Sequence, residues 1–249
     1  MITQEYGTLQ CHQLDGGPSP SHLVVLCHGY GAPGTDLAGL APDLLNMLGP
    51  AGKSTRLVFP EAPIDMTAMG LPGGRAWWPL NMASLMEMTQ ANDFSQLHDA
   101  TPPGLNEAAQ ALVESIAAMY KHTFEETMAV SDNADARLTI GGFSQGAMVT
   151  MHSALKHLPA PPKNLIQFSG TLICREEWTA SVSKLGSTNL VISHGRQDPV
   201  LPFSGAEQLR NLVQPAAASM QFVEFNGPHT IGYQAMMAAS ELIQSSGVG

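Results

Sequence analysis

Residues 138–149 read Leu-Thr-Ile-Gly-Gly-Phe-Ser-Gln-Gly-Ala-Met-Val. The apolar start is typical of a buried strand, and the Ala-Met-Val at the end begins a helix-like stretch. Between them, Gly142-Phe143-Ser144-Gln145-Gly146 fits the G-x-S-x-G pattern, which places a serine on a sharp turn between strand and helix. Glycines suit that turn because a Cβ would clash where neighbouring elements approach closely. The segment therefore predicts an exposed nucleophile, Ser144.

An acid and a base follow Ser144 in the chain. They strengthen the prediction of a nucleophile, because the G-x-S-x-G pattern is common on its own. Asp198 comes shortly after the apolar run that ends at Ser193, and His229 follows another apolar run through a Gly-containing turn. The carboxyl ends of parallel strands meet at one edge of a sheet, so the three side chains are expected there together. Their order is the nucleophile, acid and base order of α/β hydrolases. Asp93 is the main rival acid, but it precedes the serine.

A second loop is predicted to hold part of an oxyanion site. The run Leu23-Val24-Val25-Leu26-Cys27 is continuously apolar, as expected for a strand buried on both faces, and it ends in His28-Gly29-Tyr30-Gly31. In this fold one oxyanion donor comes from such a loop and the other from the residue after the nucleophile. The backbone N–H groups of Tyr30 and Gln145 are therefore the predicted donors. His28 is expected to shape the loop rather than act as a base.

Several blocks resemble the phospholipase/carboxylesterase family, which includes acyl-protein thioesterases and small bacterial carboxylesterases. Four of them are His28-Gly29-Tyr30-Gly31, the G-x-S-x-G segment, His194-Gly195 with Asp198-Pro199-Val200-Leu201-Pro202, and the turn to His229. A looser fifth block, Phe59-Pro60-Glu61-Ala62-Pro63 followed by Gly74-Arg75-Ala76-Trp77-Trp78, is similar to the family's Pro-Ala-Pro segment and tryptophan-bearing loop. The resemblance implies a Ser-His-Asp esterase with neither metal nor organic cofactor. The chain departs from the family at Pro228, where glycine is usual, and over residues 80–103.

The order of apolar runs predicts a single α/β-hydrolase domain over residues 1–249, with a mostly parallel sheet flanked by helices on both faces. The 249 residues are 44% hydrophobic and 13% charged, which suits a large core. Helices are expected near residues 37–47 and 105–119. Strands are expected near Leu23, Leu57, Leu138, Leu165, Leu190 and Gln221. Residues 61–104 are predicted to form an irregular, lid-like insertion.

The insertion contains Trp77, Trp78, Met82 and further methionines, and two interpretations of them stay open. Methionine is an adaptable side chain that often fills gaps in a core. The same adaptability suits a wall that binds varied acyl chains, and on this interpretation Trp77, Trp78 and Met82 line the substrate pocket.

Charge and cysteine content limit the classes of partner. With 11 basic and 21 acidic residues the net charge is −10, which disfavours nucleic acid and anionic membranes as partners. We expect no integral membrane segment and no signal peptide, and hence a cytoplasmic enzyme. The three cysteines lack zinc-site spacing, and His152 and His157 are predicted to lie on different helix faces, so no metal site is expected. The oligomeric state stays open, and a homodimer is compatible with the sequence.

The predicted reaction is a two-step acyl transfer to water from a small carboxylic ester or a thioester. Lysophospholipase or acyl-protein thioesterase activity is the alternative within the same chemistry. A peptidase or amidase would also need a pocket for an extended peptide and a proton for an amine leaving group. A ligand-binding protein on a hydrolase scaffold is the alternative without catalysis, and the complete set of predicted catalytic residues argues against it.

Overall fold

An eight-stranded sheet forms the centre of a computed structural model, which describes residues 1–91 and 93–246 apart from the side chains of Met82 and Thr89. Across the sheet the strand order is β1-β2-β4-β3-β7-β8-β9-β10. β2 pairs antiparallel with β1 and β4, and the pairs from β4 to β10 are parallel. In chain order the strands are β1 (Ile2–Tyr6), β2 (Leu9–Asp15), β3 (His22–Cys27), β4 (Thr55–Pro60), β7 (Asp135–Phe143), β8 (Pro162–Phe168), β9 (Asn189–Gly195) and β10 (Ser219–Phe225), with β5 (Ile64–Asp65) and β6 (Arg75–Ala76) forming a separate ribbon.

Helices cover both faces of the sheet because strands such as β3 place alternate apolar side chains on opposite sides. Val25 of β3 packs in the larger core cluster with α4 and α5, whereas Val24 packs in the smaller one with α1 and α8. The α-helices are α1 (Ala41–Met47), α2 (Met82–Ala91), α3 (Ser95–Asp99), α4 (Leu105–Phe124), α5 (Gln145–Lys156), α6 (Arg175–Ser181), α7 (Phe203–Val213) and α8 (Tyr233–Ser246). The predicted fold class is confirmed.

The sequence patterns located the parallel part of the sheet better than its antiparallel edge. Each of the six predicted strands is present, and the helix predicted over residues 105–119 continues to Phe124. The N-terminal hairpin of β1 and β2 was not predicted. β1 is a mostly exposed edge strand with polar residues in its middle, and β2 completes its pairing only with the distant strand β4, for example Cys11 with Pro60.

Residues 61–104 are more ordered than the predicted irregular insertion. The segment contains the ribbon of β5 and β6, a 3₁₀ turn at Thr67–Met69 and the helices α2 and α3. The part that contains Met82, Met86 and Met88 was predicted to be irregular, but it forms α2. This segment packs over the carboxyl edge of the sheet, where β3, β7 and β9 end.

Candidate active site

Ser144 lies on a strained turn between β7 and α5. Its φ of 54° and ψ of −116° are angles that residues with a Cβ rarely adopt, so the surrounding structure must hold them. The Ser144 N–H donates to Phe168 O over 2.8 Å. A Cβ on Gly142 would lie 2.5 Å from Cys27 O, and one on Gly146 would lie 2.0 Å from the same atom. The expected need for glycine on both sides of the serine is confirmed.

The three predicted polar side chains form one hydrogen-bonded chain at the sheet edge. His229 Nε2 lies 2.9 Å from Ser144 Oγ, and His229 Nδ1 lies 2.6 Å from Asp198 Oδ2. With a proton on Nδ1 donated to Asp198, Nε2 is free to accept the proton of the serine hydroxyl. Pro228, the departure from the family pattern, does not prevent this geometry. The arrangement can activate a serine hydroxyl as a nucleophile.

Asp198 is buried and held from several sides. Its Oδ1 accepts the N–H groups of Val200 and Leu201 over 2.8 and 2.9 Å. Burial by itself would raise the pKa of Asp198, but hydrogen bonds from His194, His229 and the Leu201 amide outweigh it and hold the pKa well below its usual value. The carboxylate is therefore ionised at neutral pH and can orient and stabilise the imidazole beside it.

His194 is a second imidazole on this carboxylate, and the sequence patterns assigned it no role. Its Nε2 lies 3.2 Å from Asp198 Oδ2 and 2.8 Å from Leu201 O, and its side chain is fully buried. Within the described part of the chain, His194 Nδ1 has no hydrogen-bond partner, which fits a neutral ring with its proton on Nε2. The four-residue spacing from Asp198 was a usable signal, since both residues flank the same turn after β9.

Two backbone N–H groups beside Ser144 are available to a ligand. Tyr30 and Gln145 both line the cavity at the serine. Among the described residues, neither amide donates to a protein acceptor. His28 is buried, accepts the Ala62 N–H at Nε2 over 3.1 Å and lies with Nδ1 2.8 Å from Gly29 O. Burial lowers its pKa, and its contacts are those of the expected loop-shaping residue.

An apolar cavity of about 260 Å³ opens beside Ser144 and His229. This volume is near the lower limit for small-molecule sites, so it suits a small group. Side chains from the segment after β6, from α2, α3 and α5, and from the turn after β9 form its wall. Its apolar members are Ala32, Leu80, Leu85, Leu97, Phe143, Met148, Val200 and Leu201.

Trp77 and Trp78 are absent from this wall, so of the two interpretations the structure favours packing in the core. Both indoles are buried in the larger core cluster, and Trp77 Nε1–H donates to His28 O over 3.0 Å. Leucines, which carry no distinctive signal in the sequence, take the place predicted for the tryptophans. Met82 begins α2, but its side chain lies outside the described residues, so its place in the pocket stays a prediction.

Two histidines outside the serine site lie closer together than their spacing predicted. His152 and His157 were predicted to lie on different faces, yet their ring centroids are 5.4 Å apart and both Nε2 atoms lie within 3.3 Å of Asn106 Oδ1. The helix ends between them, which lets His157 turn back. No group of three or more His, Cys, Asp or Glu residues in the described ranges is placed to hold a metal ion. Asp93 is exposed, and its Oδ1 accepts the Ser95 N–H at the start of α3.

Comparisons with known proteins identify the family of the chain. The model of the phospholipase/carboxylesterase family matches residues 15–246. The chain belongs to this family. Its members include a relative named acyl-protein thioesterase 1 from Eremothecium gossypii, which is 33% identical over 189 residues, or 75% of this chain and 70% of the relative. The family likeness makes the chain a carboxylesterase-type hydrolase.

Solved structures within the same fold support the assignment. A crystal structure of esterase PE8 superposes with a TM-score of 0.74 at 27% identity, covering 95% of this chain and 98% of that one. The structure of Zea mays acyl-protein thioesterase 2 has a TM-score of 0.66 at 17% identity, with coverage of 95% and 98%, and this likeness concerns the fold alone.

Within residues 1–91 and 93–246, no helix has both the length and the apolar character required to cross a bilayer.

Proposed function

We propose that this hydrolase cleaves carboxylic esters of small acyl groups through an acyl-enzyme on Ser144. The observation that supports the proposal most directly is the continuous hydrogen-bonded chain from Asp198 through His229 to Ser144 Oγ, next to an apolar cavity. A serine, an imidazole and a carboxylate in this arrangement are the parts that acyl transfer needs.

In the first step, Ser144 Oγ attacks the substrate carbonyl while His229 Nε2 takes the hydroxyl proton. The carbonyl oxygen becomes an oxyanion and accepts the N–H groups of Tyr30 and Gln145, which have no competing acceptor among the described residues. The imidazolium then gives its proton to the departing oxygen or sulfur as that bond breaks. The products are the free alcohol or thiol and an acyl ester on Ser144.

In the second step, a water molecule takes the place of the leaving group. His229 Nε2 removes a proton from water as its oxygen attacks the acyl carbonyl, and the same two amides receive the oxyanion. The proton returns to Ser144 Oγ as the ester bond breaks, which releases the carboxylic acid. In both steps Asp198 keeps the imidazole in the reactive tautomer and stabilises its charged form.

The shape of the cavity supports an apolar acyl group of short or medium length. Leucine side chains from α2, α3 and two loop segments line a volume of about 260 Å³, and Ser144 and His229 lie at its edge. Burial of each methylene contributes up to about 0.8 kcal/mol until the cavity is full. Preference should therefore rise with chain length from acetate and then fall.

Covalent labelling tests the proposal. A fluorophosphonate probe should modify the wild-type protein once, and peptide mass spectrometry should place the adduct on Ser144. Ser144→Ala should lose both the label and hydrolysis of p-nitrophenyl esters while it keeps its fold. Labelling that persists in Ser144→Ala would contradict the assignment of the nucleophile.

Thioester hydrolysis is the second candidate, because the relative from Eremothecium gossypii is named an acyl-protein thioesterase. The comparison of an acyl thioester with the oxygen ester of the same acyl group separates the two activities. An uncharged thiol leaving group should be used, since the net charge of −10 disfavours polyanionic substrates such as acyl-CoA. An acyl-protein or lysophospholipid substrate and the cytoplasmic location stay predictions of the sequence.

A further inference from the structure

The side chain of Gln145 forms a buried bridge that acyl transfer through its backbone does not require. Its Oε1 accepts the Trp77 N–H over 2.9 Å, and its Nε2 donates to Trp78 O over 2.8 Å. The residue is fully buried. One primary amide thus pairs with the donor of one residue and the acceptor of the next. The bridge fastens the first residue of α5 to the chain just after β6.

The same piece of chain holds the loop that contains Tyr30. Gly31 N–H donates to Arg75 O over 2.8 Å, and Arg75 N–H donates to Ala32 O over 3.0 Å. Before Tyr30, His28 O accepts the indole N–H of Trp77 over 3.0 Å. Hydrogen bonds from residues 75–77 therefore hold the loop on both sides of Tyr30.

The two amides assigned to the oxyanion site are consequently linked through one segment. One of them, on Gln145, is attached to residues 77 and 78 by its own side chain, and the loop of the other is attached to residues 75 and 77. This also explains why both tryptophans are buried in the core, since a segment that aligns two donors must itself be fixed. The separation of 68 residues between Gln145 and Trp77 hides the link in the sequence.

We propose that the side chain of Gln145 and the indole N–H of Trp77 are positioning groups that set the spacing of the two oxyanion donors. This inference rests on the proposed function. Donors stabilise a tetrahedral intermediate when they lie about 2.7–3.1 Å from the developing oxyanion, and a misplacement of about 1 Å can cost about 100-fold in rate. The ground-state ester forms weaker hydrogen bonds with these donors, so the affinity for the ester should change little.

The test variant is Gln145→Met, which keeps the volume and the backbone N–H but removes both hydrogen bonds of the amide. We expect kcat for p-nitrophenyl esters to fall by about 10- to 100-fold, with KM within about twofold of wild type. The inhibition constant of a trifluoromethyl ketone, whose adduct with Ser144 contains an oxyanion, should rise by a factor similar to the loss in kcat/KM. An alkyl ligand that only fills the cavity should bind as it does to wild type.

Gln13→Met is the matched control. Gln13 is also a buried glutamine, on β2 in the N-terminal hairpin, and it accepts from Tyr6 and donates to Asp15. Its replacement should lower the thermal unfolding temperature without a change in kcat or in ketone binding. The comparison separates a loss of stability from a loss of donor alignment.

Trp77→Phe is a milder variant that removes the hydrogen bond to His28 O together with part of the buried ring beside His28, and it keeps the rest of the packing. It should lower kcat by about threefold or more with KM unchanged, and it decides the question if Gln145→Met does not fold. A wild-type kcat and ketone affinity in folded Gln145→Met, or in Trp77→Phe when it alone folds, would overturn the positioning role. If wild-type protein neither hydrolyses esters nor is labelled at Ser144, the proposed function itself fails, and the positioning role fails with it.

Discussion

Replacement of Asp198 by asparagine should nearly abolish turnover, because the structure dictates which way the new amide faces. Asp198 Oδ1 accepts two backbone N–H groups, from Val200 and Leu201, over 2.8 and 2.9 Å. An asparagine NH₂ group placed there would meet two donors, so its oxygen must keep the Oδ1 position. The NH₂ group then occupies the Oδ2 position, 2.6 Å from His229 Nδ1.

That orientation reverses the proton arrangement of the base. An NH₂ group can only donate to His229 Nδ1, so the ring proton moves to Nε2 and points at Ser144 Oγ. The base can then no longer accept the serine proton. The same change of tautomer in a serine protease lowers kcat by about 10⁴, equivalent to about 5 kcal/mol of lost transition-state stabilisation.

Single-turnover hydrolysis of p-nitrophenyl butyrate measures the effect on acylation directly. Asp198→Asn should retain the circular dichroism spectrum of wild type and lose about 10⁴ in rate. Asp93→Asn is the matched control, because Asp93 is exposed and its hydrogen bond is with the Ser95 N–H at the start of α3. A folded Asp198→Asn protein with more than about a tenth of the wild-type rate would refute the tautomer argument. An inactive Asp93→Asn beside an active Asp198→Asn would transfer the acid role.

Three further outcomes follow from the structure. Leu97→Phe adds bulk to the cavity wall and should shift the preferred p-nitrophenyl ester to a shorter acyl chain while acetate hydrolysis stays within about twofold; an unchanged profile would remove Leu97 from the acyl site. Trp78→Ala should lower the free energy of unfolding in urea by about 3–5 kcal/mol and leave the chain-length preference unaltered, as expected for a core residue; a flattened profile would return Trp78 to the pocket. Burial lowers the pKa of His22 and of His152 to about 4. Below pH 6.5 the unfolded chain therefore binds protons that the folded state excludes. The free energy of unfolding should fall between pH 6.5 and about 4 by up to about 1.4 kcal/mol per pH unit for each histidine. His22→Gln should reduce that slope, and an equal slope in the variant would contradict the assignment.

Much of the reaction centre was predictable because its signals are local. The glycines around Ser144, the apolar runs that end before Asp198 and His229, and the order of the three residues in the chain can all be recognised without long-range contacts. Parallel strands bring their carboxyl ends to one edge, so strand ends were enough to predict that these side chains meet. The helices on both faces of the sheet follow from the same apolar runs. Each run is apolar at consecutive positions, so its strand presents apolar side chains to both faces.

The surroundings of the centre depended on tertiary contacts. An apolar side chain has the same signature in a core and in a pocket wall. This is why the sequence left Trp77 and Trp78 open between core and cavity and did not single out Leu85 and Leu97. The spacing of His194 from Asp198 was a local signal, but it was the turn after β9 that brought His194 Nε2 to 3.2 Å from Oδ2.

Hydrogen-bond partners far apart in the chain were the least predictable feature. Gln145 meets Trp77 across 68 residues, and β2 pairs with β4 although β3 lies between them in the chain. A local pattern records whether a residue favours a strand, a helix or burial, but it does not record which distant group satisfies a buried amide. The three proposed catalytic residues, Ser144, Asp198 and His229, were therefore predictable from the sequence itself. The wall of the cavity and the support of the oxyanion donors were decided by packing between segments that only the folded chain brings together.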